Sequence, residues 1–360
     1  MSDAMKQHSQ AYTYCTYCPK ICRFSCPVSE ATASESLSAW GKMTAANRVN
    51  TGQRPMDEGA SKAVHACTGC GRCTSFCKHE NQVGPALFAA RTKAVEAGVQ
   101  PKGAASTVTT FEHSQNPFGH SLASFVASWR ADAPVRFALF PGCSSLVKRR
   151  QLVEDVISVS KAFGAPMGVS RASSRCCGYP LYAAGALDAF RTHAQDMATT
   201  LESNPELVVL DPGCAYTFKV VYPQVGVTLS STVRTVVEVL ADNLPHAPDK
   251  PPLPERLAYH DACHLGRGLG QYDEPRSLLR RAVTELHEAP STRSEAGCAG
   301  GGGLLPRTMP EVALEVARRQ ANELGSLPIA TACPTSKRMF ERAGRTSYDI
   351  IEVLRRWLET

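Results

Sequence analysis

From residue 135 onward, short apolar runs alternate with longer stretches of helical spacing. "VRFALFPGC" reads as a strand over Val135 to Phe140, then a Pro-Gly turn, then Cys143. "LVVLDPGC" repeats the form, with a strand over Leu207 to Leu210 and then Cys214. "RLAYHDAC" leads to Cys263 and "PIATAC" to Cys333. Between these runs, 146–163 carries Leu146, Val153, Ile157 and Phe163 at helical spacing. Residues 181–202, 232–244, 275–288 and 310–325 show the same periodicity. Strands alternating with helices predict parallel α/β units. Open parallel sheets bind ligands beyond the carboxyl ends of their strands, which is where these cysteines fall.

The first hundred residues lack such alternation. "SEATASESLSAWGKMTAANRVN" and "GPALFAARTKAVEAG" read as helices, the second with Leu87, Ala90 and Val95 on one face. From Pro101 to Pro134 the chain turns polar and irregular, which predicts a connector with one short helix ending near Trp129. The expected units are therefore a helical domain over 1–100, a connector over 101–134 and two α/β modules over 135–250 and 251–360. A proline-rich joint, "PHAPDKPPLP", separates the modules.

Composition changes little in this picture. The 360 residues are 43% hydrophobic and 20% charged, ordinary for a soluble globular protein. No run is apolar and long enough to span a bilayer, and the N-terminus has no apolar signal core. A cytoplasmic protein is expected, docked at most peripherally on the inner face of a membrane through a partner. The net charge of +6 is mild and scattered, with "KRR" (Lys148 to Arg150) its densest run, so nothing argues for nucleic acid.

The cysteines carry the chemistry. There are 15, and in a reducing compartment they do not read as disulfides. "CTGCGRCTSFC" sets Cys67, Cys70, Cys73 and Cys77 at the spacing of bacterial-type ferredoxins, although Lys78 replaces the usual proline. "CTYCPKICRFSCP" sets Cys15, Cys18, Cys22 and Cys26 with one extra residue. In two-cluster ferredoxins the fourth cysteine of each run crosses to the other cluster. Cys15, Cys18, Cys22 and Cys77 would then hold one 4Fe–4S cluster, and Cys67, Cys70, Cys73 and Cys26 a second. Two structural zinc sites are the alternative, since four thiolates also suit zinc. His65 and His79 flank the second run and are expected beside the clusters or in solvent, not as ligands.

The later cysteines repeat. Cys143 is followed after 32 residues by the adjacent pair Cys176–Cys177, and after 36 more by Cys214. Cys263 is followed after 34 residues by Cys298–Ala299, and after 33 more by Cys333. The two halves read as copies of one module around a pseudo-twofold axis. The run Gly300 to Gly303 lacks the context of a phosphate loop. It predicts close backbone approach to a cluster or to the other module. His260, Asp261 and His264 surround Cys263 and predict a hydrogen-bonded strand-end turn that could also tune a cluster or relay protons.

These motifs resemble the cysteine-rich-domain (CCG) iron–sulfur proteins. That family includes heterodisulfide reductase components and the iron–sulfur subunits of glycolate oxidase and anaerobic glycerol-3-phosphate dehydrogenase. "NPFG" (Asn116 to Gly119) is similar to the family connector, and "YHDACH" (Tyr259 to His264) to the opening of its second module. The resemblance implies a helical two-cluster ferredoxin domain ahead of two CCG modules. It implies an iron–sulfur electron-transfer subunit working between a flavoprotein (FAD) dehydrogenase and a quinone, thiol/disulfide or other carrier, with a membrane quinone-reactive protein as a further partner. Two alternatives stand beside it: a catalytic disulfide reductase, with Cys176, Cys177 and His264 as candidate catalytic residues, and a non-catalytic docking scaffold. In the first module Cys143, Cys176, Cys177 and Cys214 remain as metal ligands for a further iron–sulfur cluster or zinc, with Asp211 where a fifth cysteine stands in the family. The second module keeps Cys263, Cys298 and Cys333 as candidate ligands, for a cluster with one open iron or for zinc with His264 or water as the fourth, or as buried remnants of a lost site; Ala299 and Ser336 stand at the other two places, so the modules are expected to differ.

Overall fold

The computed structural model describes residues 4–129, 136–202 and 206–360. The expected strand start at Val135 and the end of the connector lie outside them. The N-terminal domain is helical, built on Ser9–Tyr17, Ala39–Asn50, Glu58–His65 and Val83–Glu96. Ser38 and Asp57 cap two of these helices by accepting from the Gly41 and Ala60 N–H groups, which satisfies donors that a helix start leaves free.

Each α/β module holds one four-stranded parallel sheet. The strands are β1 (Phe137–Phe140), β2 (Met167–Val169), β3 (Glu206–Val209) and β4 (Thr232–Thr235) in the first. The second has β5 (Leu253–His260), β6 (Val283–Glu288), β7 (Ile329–Thr331) and β8 (Ser347–Asp349). The orders are β2-β1-β3-β4 and β6-β5-β7-β8, the same permutation twice. The order reverses between β1 and β3, and again between β5 and β7. Those central strands are the ones whose carboxyl ends lead to Cys143, Cys214, Cys263 and Cys333, so each cysteine pair stands at a topological switch point.

Three expectations need correction. Residues 232–244 are strand then helix, because β-branched "TVRT" pairs with β3 before the helix Val236–Asp242 starts. Residues 275–288 divide likewise: the helix Asp273–Ala282 ends and "VTELHE" forms edge strand β6. The connector is more ordered than its polarity suggests. It holds the helix Lys102–Ser114 as well as Leu122–Ala127. Small Ala104 and Thr107, with Phe111, give the longer helix a buried face. An Arg307 carbonyl stands where a Gly103 Cβ would be, so the close approach depends on glycine.

The modules join through the C-terminal helix Ile350–Glu359, which packs on Arg150–Ala162. Trp357 is fully buried there, with its ring edge-on to Phe163 and its indole N–H donating to the Pro251 carbonyl at 3.1 Å.

Candidate metal centres

Three cysteine-lined spaces follow one another through the molecule. An outer cavity in the helical domain is lined by Cys15, Cys18, Cys22 and Cys77, with Cys73 at its edge. An inner cavity is lined by Cys26, Cys67, Cys70 and Cys73. The third lies between the α/β modules, measures about 200 Å³, and is lined by Cys143, Cys176, Cys177, Cys214, Cys263, Cys298 and Cys333 together. Cys73 borders both of the first two spaces.

The helical domain sorts its thiols by local geometry. The sharp turns at Gly69 and Gly71, both at positive φ, wrap the second run around the inner cavity. The first run divides at the short turn Arg23–Ser25, which sends Cys26 inward while Cys15, Cys18 and Cys22 stay outside. Donors point at sulfur throughout. Asn81 Nδ2 reaches Cys15 Sγ at 3.0 Å, Lys42 Nζ reaches Cys26 Sγ at 3.3 Å, and the Gly69 N–H reaches Cys67 Sγ at 3.4 Å. Thiolate ligands need such partners, and protonated thiols use them poorly. Without a bound cation, burial pushes the Cys15 thiol up to about 12. A cluster, with an iron for each thiolate, suits rings of this kind. The donor set therefore fits iron–sulfur ligation.

Lys42 and Arg91 belong to no motif in the sequence. Lys42 is 2% exposed and Arg91 fully buried. Arg91 donates to the carbonyls of Val64 and Cys67 in the helical domain, Ala183 in the first module and Gly303 in the second. The available signal is an arginine on the apolar helix Val83–Glu96, where a charge needs a buried partner. His65 is buried, with Nδ1 2.9 Å from the Ser61 carbonyl, and burial lowers it to about 3. His79 is exposed on the rim of the outer cavity, tilted against Tyr14.

The two modules contribute unequally to the third space. In the first, Cys143 Sγ lies 3.3 Å from Cys176 Sγ, and Cys177 is within hydrogen-bond reach of both Cys176 and Cys214. Those two sulfur donors hold the Cys177 thiol well below its usual range, while contact with Cys143 and then Cys177 pushes Cys176 up and contact with Cys177 pushes Cys214 up. Gly178, at φ +88°, turns the chain directly after the pair. Asp211 lines the same space, and burial raises its carboxyl to about 6. In the second module Cys298 turns toward the helical domain. Its Sγ lies 3.6 Å from Thr68 Oγ1 and within reach of Cys70. Cys263 and Cys333 remain on the cavity wall with Ala299 and Ser336 beside it.

The glycine run makes this contact between domains. A Cβ on Gly302 or Gly303 would meet the Thr68 or Cys67 carbonyl at 2.4 or 2.2 Å. The backbone approach is thus to the loop that bears the inner thiols. Around Cys263 the strand-end turn is as expected: Arg276 grips Asp261 at 2.8 and 2.7 Å, and His260 Nδ1 lies 3.2 Å from Thr331 Oγ1. His264 stacks on Tyr216 at 4.6 Å with a buried Nε2 that has no protein partner. Burial lowers its imidazole to about 4, so it is neutral at pH 7.

Residues 11–81 match the 4Fe–4S dicluster domain, and residues 137–219 and 257–341 each match the cysteine-rich domain. The chain belongs to the cysteine-rich-domain iron–sulfur proteins. Its relatives include one component of a fumarate reductase (CoM/CoB) of Methanothermobacter marburgensis, 28% identical over 77% of this chain and 56% of its own length. One component of a dihydromethanophenazine:CoB–CoM heterodisulfide reductase of Methanosarcina barkeri is 26% identical over 76% of this chain and 71% of its own. An EtfAB:quinone oxidoreductase of Syntrophomonas wolfei is 26% identical over 72% of this chain and 39% of its own. The chain thus spans little more than half the length of the first of these relatives. Among the described residues no helix is long and apolar enough to cross a membrane.

Proposed function

We propose that this chain is an iron–sulfur electron-transfer subunit carrying two 4Fe–4S clusters. It passes electrons between a flavoprotein dehydrogenase and a quinone, thiol/disulfide or other carrier. Cys15, Cys18, Cys22 and Cys77 hold the outer cluster; Cys26, Cys67, Cys70 and Cys73 hold the inner one. One observation carries the reading: the cysteine-lined spaces are contiguous, joined by Cys73 and then by the Cys70–Cys298 contact. When bound, the clusters supply one-electron redox chemistry. The residues around them exclude water, donate to sulfur and fix the spacing.

The partner meets the outer cluster. The exposed large apolar side chains of the described residues are Tyr14, Tyr17, Ile21 and Phe24, all beside the outer thiols. Such clustering marks an interaction face. Anaerobic purification with iron and acid-labile sulfide analysis tests the assignment. About eight irons per chain, with absorbance near 400 nm, are expected for two clusters. A colourless protein holding only zinc refutes it.

A second reading is favoured by the third space, where seven thiols line one cavity. Disulfide reduction there takes two electrons and two protons to give two thiols. The Cys143, Cys176, Cys177 and Cys214 set would hold a further cluster or zinc. Cys177→Ser is then expected to abolish disulfide turnover while the ferredoxin clusters still reduce. Unchanged turnover removes the cavity from the chemistry. Binding of a flavoprotein without any electron transfer would favour a docking scaffold instead.

A further inference from the structure

The two thiol rings of the helical domain differ in the charge around them. Lys42 Nζ donates to Cys26 Sγ at 3.3 Å and to the Ala66 carbonyl at 3.0 Å. Arg91 donates to the Cys67 carbonyl at 2.6 Å, and Arg267 Nε to the Cys70 carbonyl at 2.7 Å. Three cations therefore touch three of the four inner cysteines. Among the described residues none of the three forms an ion pair with a carboxylate. The other bonds of both arginines are to main-chain carbonyls.

Among the described residues no cation donates to a cysteine of the outer ring. Its donor is the neutral Asn81 amide on Cys15. The cation on its wall, Lys20, is a third exposed and already paired with Glu35 at 3.2 Å. Burying an ammonium without a counter-ion costs several kcal/mol. A sequence that keeps Lys42 buried must offer it an anion, and the thiolate ring is the group it touches.

Adding an electron makes a cluster one unit more negative. A fixed positive charge at hydrogen-bond distance in a dry interior favours that step, and solvent screens it little. We infer that Lys42, supported by Arg267 and Arg91, sets the inner cluster at a higher potential than the outer one, so that electrons received at the exposed outer ring run inward to the Cys298 edge of the shared cavity. This rests on the two-cluster reading. Lys42 acts here as a positioning charge; it takes no part in bond making.

The test is a redox titration of the anaerobically purified full chain, read by low-temperature EPR. Two reduction steps are expected in the wild type. Lys42→Met should lower the higher step at least tenfold in its reduction equilibrium, about 59 mV for one electron, and leave the lower step in place. Lys42→Arg, which keeps the charge, should hold both steps near the wild-type values. Asn81→Leu should lower the other step, which assigns the outer cluster. If Lys42→Met fails to assemble, Arg267→Gln provides the same reading, with the higher step lowered. Full iron content with both steps unmoved in Lys42→Met, or in Arg267→Gln where that variant stands in, overturns the inference and leaves the two-cluster reading intact. Failure of the wild type to bind iron and sulfide overturns that reading itself.

Discussion

Replacing Arg91 by methionine should be among the most damaging single changes outside the cysteines. Its guanidinium makes four bonds of 3.1 Å or less, to Val64, Cys67, Ala183 and Gly303. Val64 and Ala183 lie in the last turns of the helices Glu58–His65 and Tyr179–Ala184. Those carbonyls have no partner within the helix, so Arg91 caps both ends at once. Phe88 covers the guanidinium at 4.0 Å. Leaving a buried acceptor unsatisfied costs about 1–3 kcal/mol, so four such losses come to roughly 4–12 kcal/mol. Removing a buried charge offsets part of this, since its desolvation is itself worth several kcal/mol. A net loss of about 4 kcal/mol is expected in denaturant unfolding of the metal-loaded chain. Arg91→Lys should recover little, because one ammonium cannot span carbonyls from all the domains. A methionine variant within about 1 kcal/mol of wild type, by the same measure, would refute the reasoning.

Four further changes test other positions. Gly303→Ala puts a Cβ 2.2 Å from the Cys67 carbonyl at φ +59°, and should cost about 2–4 kcal/mol and slow electron passage to the cavity. Gly52→Ala, at φ +73° with nothing near, should cost only about 1 kcal/mol by the same unfolding assay. Trp357→Ala should lose about 3–5 kcal/mol and let the two modules melt separately in calorimetry. Burial raises the Asp349 carboxyl to about 7, so its contribution is full below the unfolded value near 4 and is lost as pH rises through 7. Asp349→Asn, which keeps the cap acceptor for the Ile351 N–H, should therefore be more stable than wild type at about pH 8, by roughly 1–3 kcal/mol, and lose that advantage near pH 5 in paired unfolding curves.

The sorting of the ferredoxin thiols between two cavities was legible because it is local: a few residues between cysteines fix where the sulfurs can go. The central strands were legible because each is a continuous apolar run ending in a turn. Strands β4 and β6 were hidden because both edge strands are half polar, and each lies directly against a helix. A second repeat in the sequence marks β4. "TVVEVL" at Thr235 and "DIIEVL" at Asp349 are matching capping boxes, each closing a strand and opening a helix. The roles of Lys42 and Arg91 were illegible for a different reason. Their partners are main-chain carbonyls and a distant thiol, which leave no trace in spacing.

The pairing of Cys298 with Cys70 accounts for the unequal modules. Cys298, held toward the inner ring, lines the shared cavity with Cys263 and Cys333 but has its sulfur partner in Cys70 rather than in its own module. At Ala299 a second thiol would therefore lack the companions that Cys177 has in Cys176 and Cys214. Gly302 and Gly303 can meanwhile not accept side chains, because the ferredoxin backbone occupies the space. The departure from the CCG pattern at Ala299 thus follows from one contact. The second module turns a thiol toward the helical domain, and the first retains the compact thiol set.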